Sequence, residues 1–205
     1  MKRPVIDPKK SYTFSDYFEM NIPIDELVTY FGYHYQLKFC TLPRSTVSLD
    51  YFAHLEQQIK SHLEYVYLTS ETARREVLVA PILFNAATFL KTTVYIEYPL
   101  QVSHQLKGKI DYYLRRQDNS NLLIVEAKHD DMTRGFTQLA VELIALDQWL
   151  DDSDKPLYGI ITMGNVWQFG ILDRLSKQII QDIRLYRVPD DIEDLLRILI
   201  AILAD

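Results

Sequence analysis

The sequence predicts an α/β domain in which a mixed central sheet is flanked by helices and preceded by a helical N-terminal extension. Three observations carry this reading. Apolar residues recur at three- and four-residue spacing through the first third of the chain. From Thr92 onward the period shortens to two, and a single helix-period stripe at 136–150 then separates one group of strands from the next. With 205 residues and an apolar fraction of 48%, the chain has the length of one domain with a sizeable core. Six glycines and eight prolines, without repeats or biased tracts, leave no flexible linker, so 1–69 (helical extension) and 70–205 (core) are parts of one unit.

In order, residues 24–31 follow a proline at a helix entry, and Leu49, Phe52, Leu55, Ile59, Leu63 and Val66 form a second helical stripe. Ser70 can cap a helix running through Glu71, Arg75 and Leu78, which Pro81 kinks or restarts. Segments 93–102, 109–114 and 122–127 are rich in Val, Ile, Tyr and Leu, and the turn cluster at 118–121 joins the last two as a hairpin, giving a three-stranded meander. Thr133 can cap the next helix, with Phe136, Leu139, Ala140, Leu143, Leu146 and Leu150 on one stripe that packs on the sheet. Segments 157–163, 166–172 and 178–186 read as further strands, and 190–203 as a closing apolar helix.

Composition removes several function classes. The balance of 22 basic against 28 acidic residues gives a net charge of −6, and with a pI near 5.4 any contact with nucleic acid needs a local basic patch. Candidates for it are Arg74, Arg75, Lys107, Lys109, Arg115, Arg116 and Arg134. The single Cys40 can form neither a disulfide framework nor a thiolate zinc site, which points to a reducing, cytoplasmic setting. The first ten residues carry prolines and charge where a signal peptide is apolar. The most apolar stretch, 192–203, contains Arg197 and is shorter than the roughly 20 residues that span a bilayer, so no membrane association is expected. Its near-absence of a polar side means that it is either buried in the core or pairs with a second copy in a homodimer.

The chemistry-bearing stretch is Lys107-Gly-Lys-Ile-Asp111 followed by Leu122-Leu-Ile-Val-Glu126-Ala-Lys128. Strand alternation puts Ile124, Glu126 and Lys128 on one face and Leu123, Val125 and Ala127 on the other. A strand apolar on both faces is central, where an unpaired carboxylate and ammonium are expensive. Hairpin pairing brings Asp111 next to Glu126, and the repulsion between two adjacent carboxylates is relieved by a divalent cation. Oxygen-only ligands favour Mg²⁺ or Mn²⁺, which bind a phosphate oxygen directly. In phosphodiester hydrolysis Asp111 and Glu126 would hold the metal, while Lys128 orients or deprotonates the attacking water and offsets phosphate charge.

At these residues the sequence resembles the PD-(D/E)XK nuclease superfamily, whose restriction-endonuclease-like core has an acid on one strand and acid-x-Lys on the next. The segment Glu71-Thr-Ala-Arg-Arg75 leading to Pro81 is similar to the N-terminal nuclease region of type I restriction subunits. Over residues 70–149 the resemblance implies a restriction-endonuclease-like core, a third acidic metal ligand in Glu71 on the preceding helix, and a catalytic Gln138 on the following one. Ile110 replaces the eponymous proline, and Glu142 stands where exonuclease-type members carry a tyrosine, so no exonuclease subtype is implied. The activity expected is Mg²⁺-dependent endonucleolytic cleavage of DNA; the alternative is a nuclease-fold protein that no longer cuts and serves as a nucleic-acid or protein-binding module.

Other polar residues point elsewhere. Glu76 competes with Glu71 but lies on another face of the helix. His54 and His62 are two turns apart, too far for a zinc pair spaced one turn apart, and His129 precedes two aspartates that mark a solvated loop. The tyrosines, among them Tyr30, Tyr33 and Tyr35, read as core and rim.

Overall fold

The computed structural model describes residues 5–116, 122–128, 130–151 and 154–204. The turn cluster at 118–121 and His129 lie outside them.

One eight-stranded mixed sheet organises the molecule. Its strands are β1 (His34–Lys38), β2 (Thr93–Gln101), β3 (Lys107–Arg115), β4 (Leu122–Ala127), β5 (Leu157–Thr162), β6 (Val166–Asp173), β7 (Gln178–Asp182) and β8 (Tyr186–Arg187). The order is β1-β7-β6-β5-β4-β3-β2, with β8 pairing β6. The expected meander β2-β3-β4 is antiparallel throughout. β4 and β5 are parallel, so the chain must cross a face of the sheet between them, and it does so through α6 (Met132–Trp149).

Helices cover both faces. On one lie α3 (Ala53–Leu63), α5 (Ala80–Leu90) and α7 (Ile192–Ala204), whose Leu55, Ile59, Leu83, Leu195 and Leu199 pack with Leu123, Val125 and Phe169 of the sheet. On the other lie α1 (Phe14–Glu19), α2 (Ile24–Tyr30) and α6, whose Phe14, Leu27, Phe136, Leu139 and Leu143 pack with Ile124, Tyr113 and Ile161. The apolar faces of α7 are buried in this chain's own core, so the feature that suggested a homodimer is explained by packing within the chain. No helix among the described residues is long and apolar enough to cross a membrane.

Several elements depart from expectation. The N-terminal third is not a helical extension: β1 adds a parallel strand to β7 at the sheet edge, and α1 and α2 contribute to one of the two core layers. The stripe beginning at Leu49 splits into a 3₁₀ turn (Asp50–Phe52) and α3. Asp131 rather than Thr133 caps α6, its carboxylate accepting from the Arg134 N–H at 2.9 Å. The segment 178–186 is two strands, because the Asp182 carboxylate accepts from the N–H groups of Cys40 and Arg184 and turns the chain out of the ladder. Ser70 does cap its helix, accepting from the Ala73 N–H at 3.1 Å. Beyond it α4 (Glu71–Arg74) runs into α5 through a π-helical turn (Arg75–Val79), in which the Ala80 N–H reaches the Arg75 carbonyl. That wide turn accommodates Pro81, which has no N–H to donate, without breaking the helical run.

α6 lies close to the sheet because Gly159 and Gly170 are direct cross-strand partners on β5 and β6. A Cβ on Gly159 would sit 2.8 Å from Leu139 Cδ1, and one on Gly170 would sit 3.0 Å from the Phe136 ring. Gly170→Val and Gly159→Val are therefore each expected to lower the unfolding free energy by about 1–3 kcal/mol through overpacking, measured by urea titration. Unchanged midpoints would show that α6 can lift from the sheet without loss.

Candidate functional site

The sheet forks at Asp111. β3 and β4 pair from Arg115↔Leu122 to Tyr112↔Val125 and no further, although the same register would next set Asp111 opposite Glu126. Beyond this point β4 stays with β5 as far as Ala127↔Thr162, and β3 stays with β2 as far as Lys107↔Gln101. The Asp111 carboxylate fills the fork, its Oδ2 accepting from the Ala127 N–H at 2.9 Å in place of a ladder carbonyl. Pairing with β2 also skips Asp111: Ile96↔Tyr112 and Tyr98↔Ile110 flank the position, and the intervening Glu97 has φ 50°. Departures from regular backbone thus converge on one acidic side chain.

Across the fork Glu126 is 2% exposed. Its Oε1 meets Lys128 Nζ at 2.6 Å and accepts from Gln138 Nε2 at 2.6 Å. Strand parity accounts for the first contact, since Glu126 and Lys128 leave β4 on the same face. The second is set by α6, whose first turns lie over the end of β4. Gly135 makes room for it: a Cβ there would sit 2.5 Å from Ile161 Cδ1 and 3.0 Å from Lys128 Cγ.

Asp111, Glu126, Lys128 and Gln138 are therefore brought together. Glu71 enters less directly. It lies one helical turn before Arg75, whose charge it stabilises, and the Arg75 guanidinium stands 3.5 Å from Asp111 Oδ1 and 5.1 Å from the centre of the Tyr112 ring. Glu76 is exposed.

The expected basic patch is largely spoken for. Arg74 donates to the Met163 carbonyl, Arg116 to the Ala204 carbonyl, and Lys109 and Arg134 pair with Glu97 and Asp131. His54 and His62 are exposed on α3, and the hydroxyls of Tyr30, Tyr33 and Tyr35 bond to Gln105, Asp147 and Gln181, as suits core and rim residues.

One residue that the sequence marks only as a departure from a family tyrosine is part of the cluster. Glu142 is 0% exposed, and its Oε1 accepts from Gln138 Nε2 at 2.8 Å, so one amide nitrogen serves two buried carboxylates. The signal for it was present as an acidic residue embedded between Val141 and Leu143 in an apolar helix, one turn after Gln138. A second missed contribution is α1, whose Phe18 ring lies 4.8 Å from Lys128 Nζ and helps leave that side chain only 13% exposed. α1 is held by the β2–β3 turn: the Tyr17 hydroxyl donates to the Gln105 carbonyl at 2.7 Å and the Tyr12 N–H to the His104 carbonyl at 2.9 Å.

The electrostatics follow from burial and crowding. Burial, then the neighbouring Asp111, pushes Glu126 up to about 8 against the opposing pull of Lys128. Burial and Glu126 raise Glu142 well above the carboxylate range. Burial disfavours the charged Lys128, but Glu126, with Asp111 and Glu142 behind it, outweighs burial and raises the lysine.

Among the described residues Glu126 Oε2, Gln138 Oε1 and Glu142 Oε2 are buried without a hydrogen-bond partner, and as carboxylate and amide oxygens all three can accept. Among the described residues no group of three or more Asp, Glu, His or Cys side chains is disposed to hold a metal ion. Hard oxygen donors beside a bare carboxylate oxygen suit Mg²⁺ or Mn²⁺, ions that take one or two carboxylates and complete their shell with water and phosphate. The chain matches no known protein family and no curated protein with which it was compared.

Two outcomes are expected. Gly135→Ala should lower the thermal midpoint, by about 1–3 kcal/mol at the transition, because its methyl displaces Ile161 and the Lys128 stem. In cation-free protein the raised carboxyl of Glu126 means that the folded state keeps a proton the unfolded chain releases. Stability is then fully present below the unfolded value of 4.5 and declines as pH rises through about 8. Denaturant titrations across that range should show the decline, with Glu126→Gln flattening it in part because Glu142 contributes with the same sign.

Proposed function

We propose that this chain is a metal-dependent nuclease with a restriction-endonuclease-like core, hydrolysing phosphodiester bonds and acting as an endonuclease on DNA. The observation that carries the reading is the fork itself: an aspartate held at the parting of two strands, beside a buried glutamate that already shares a lysine and a glutamine. In this reading Asp111 and Glu126 hold Mg²⁺ or Mn²⁺, with Glu71 the third acidic candidate.

The bound cation would supply an activated water and neutralise charge on the phosphate. The chain's own residues do the rest. Lys128, fixed against Glu126, directs its ammonium at the attacking water and at the charge that grows on the phosphate oxygens. Gln138 holds Glu126 Oε1 and leaves Oε2 bare. Arg75 stands 3.5 Å from Asp111 Oδ1 as its counter-charge, and the wide turn that begins at Arg75 accommodates Pro81 at the head of α5.

A second reading has one observation in its favour. Phe18 over Lys128, with Glu126 almost fully buried, restricts the approach of a phosphate, as in a nuclease-fold module that binds without cutting.

The two are separated by assaying single- and double-stranded DNA at low salt with Mg²⁺ or Mn²⁺ and in chelator. The expected result is cation-dependent cleavage that is lost in Asp111→Ala and Glu126→Ala. Lys128→Ala should lower the rate by about 10²–10⁴ while Mn²⁺ binding is retained. Mn²⁺ bound without cleavage of DNA or RNA would decide for the binding module, and cleavage surviving in Glu126→Ala would reject the site.

A further inference from the structure

Glu142 has no evident reason to be a carboxylate if its role is to stabilise the core. It is fully buried, and among the described residues its one hydrogen-bond donor is Gln138 and its Oε2 has no partner. Burying an acid with one oxygen unsatisfied is destabilising relative to an uncharged side chain of the same shape. A local choice that works against stability marks a place where something other than stability is being met.

What Glu142 does satisfy is the second proton of one amide nitrogen. Gln138 Nε2 has two protons; one goes to Glu126 Oε1 at 2.6 Å and the other to Glu142 Oε1 at 2.8 Å. With both taken by carboxylates, the amide plane is fixed. With both acids ionised, the state a bound cation favours, the flipped orientation is excluded too, since it would turn Gln138 Oε1 onto two carboxylate oxygens. Glu126 is then held through Oε1 by Gln138 and Lys128 together, and Oε2 is the oxygen left without a partner.

We propose that Glu142 is a positioning residue of the cation site: acting through Gln138, it locks Glu126 so that Oε2 stays free for a hard divalent cation. This rests on the reading of Asp111 and Glu126 as cation ligands. Partners one step behind a metal ligand typically change affinity by about ten- to a hundredfold when altered, and Glu142 falls in that class.

The test is a Mn²⁺ titration of the full chain, followed by the electron paramagnetic resonance signal of free Mn²⁺, paired with thermal unfolding in chelator. Glu142→Gln keeps the shape and replaces the acid by an amide that always donates as well as accepts, so Gln138 is no longer confined to one orientation. The expected result is a loss of Mn²⁺ affinity of about ten- to a hundredfold, with a midpoint in chelator equal to or above wild type. Glu142→Met should behave alike and covers the case in which the Gln variant does not fold. Gln138→Leu should weaken Mn²⁺ to a similar degree, and adding Glu142→Gln to it should weaken binding no further, because the two act in series.

Wild-type Mn²⁺ affinity in both Glu142 variants would overturn the inference, as would a lowered midpoint in chelator accompanying the loss of affinity, which is the mark of a structural role. Additive losses in the double variant would overturn the route through Gln138. If wild type itself takes up no Mn²⁺, or Asp111→Asn binds it equally well, the cation site as read above fails and the role of Glu142 fails with it. That outcome is distinct from a wild-type site indifferent to Glu142.

Discussion

A carboxylate at the inner end of a central strand is the constraint around which this fold is arranged. Glu126 cannot be left bare between two apolar layers, and its partners come from the chain that follows it: Lys128, just past the end of β4, and Gln138 from α6. Those contacts require α6 to sit low over the end of β4. Close approach in turn requires Gly135 beside Lys128 and the cross-strand pair Gly159 and Gly170 beneath Leu139 and Phe136. The parallel β4-α6-β5 crossover is thus both a topological connection and the device that delivers an amide to a buried acid.

Regular structure gives way where the chemistry concentrates. β3 loses its pairing with β4 at Asp111, Glu97 on the other side takes a positive φ, and the helix facing them widens into a π turn that begins at Arg75. Each irregularity has a local cause. Together they leave an acidic side chain inside the sheet bonded to a backbone N–H, with a guanidinium as counter-charge, an arrangement that an unbroken ladder would have forbidden.

The parts of this architecture legible in the sequence are those governed by short-range periodicity. The meander, the long helix after it and the common face of Glu126 and Lys128 follow from alternation and stripe spacing, and Asp111 beside Glu126 follows from hairpin register. The sheet edge was not legible: β1 is five residues, mostly exposed, and its pairing with β7 joins positions more than a hundred residues apart. The six-residue α1 has too few turns for a stripe, and what fixes it are the β2–β3 turn and the packing of Phe14 against Gly108. Asp131 took the cap from Thr133 because aspartate is the stronger cap at a helix start.

Glu142 shows most clearly where pattern reading stops. A periodicity argument counts it as a polar interruption of an apolar helix, and a motif argument counts it as a departure from a tyrosine. Neither sees that the atom it touches is already committed elsewhere. Gln138 Nε2 has two protons and two carboxylate partners, and the amide oxygen it leaves behind is one of three buried acceptors in this group with no donor among the described residues. A group in which the donors are exhausted and only acceptors remain is electrostatically incomplete. A proton on Glu142 could satisfy one of those oxygens, whereas a divalent cation can draw on several. That difference is why affinity for Mn²⁺, more than stability, is the quantity on which the role of Glu142 should register.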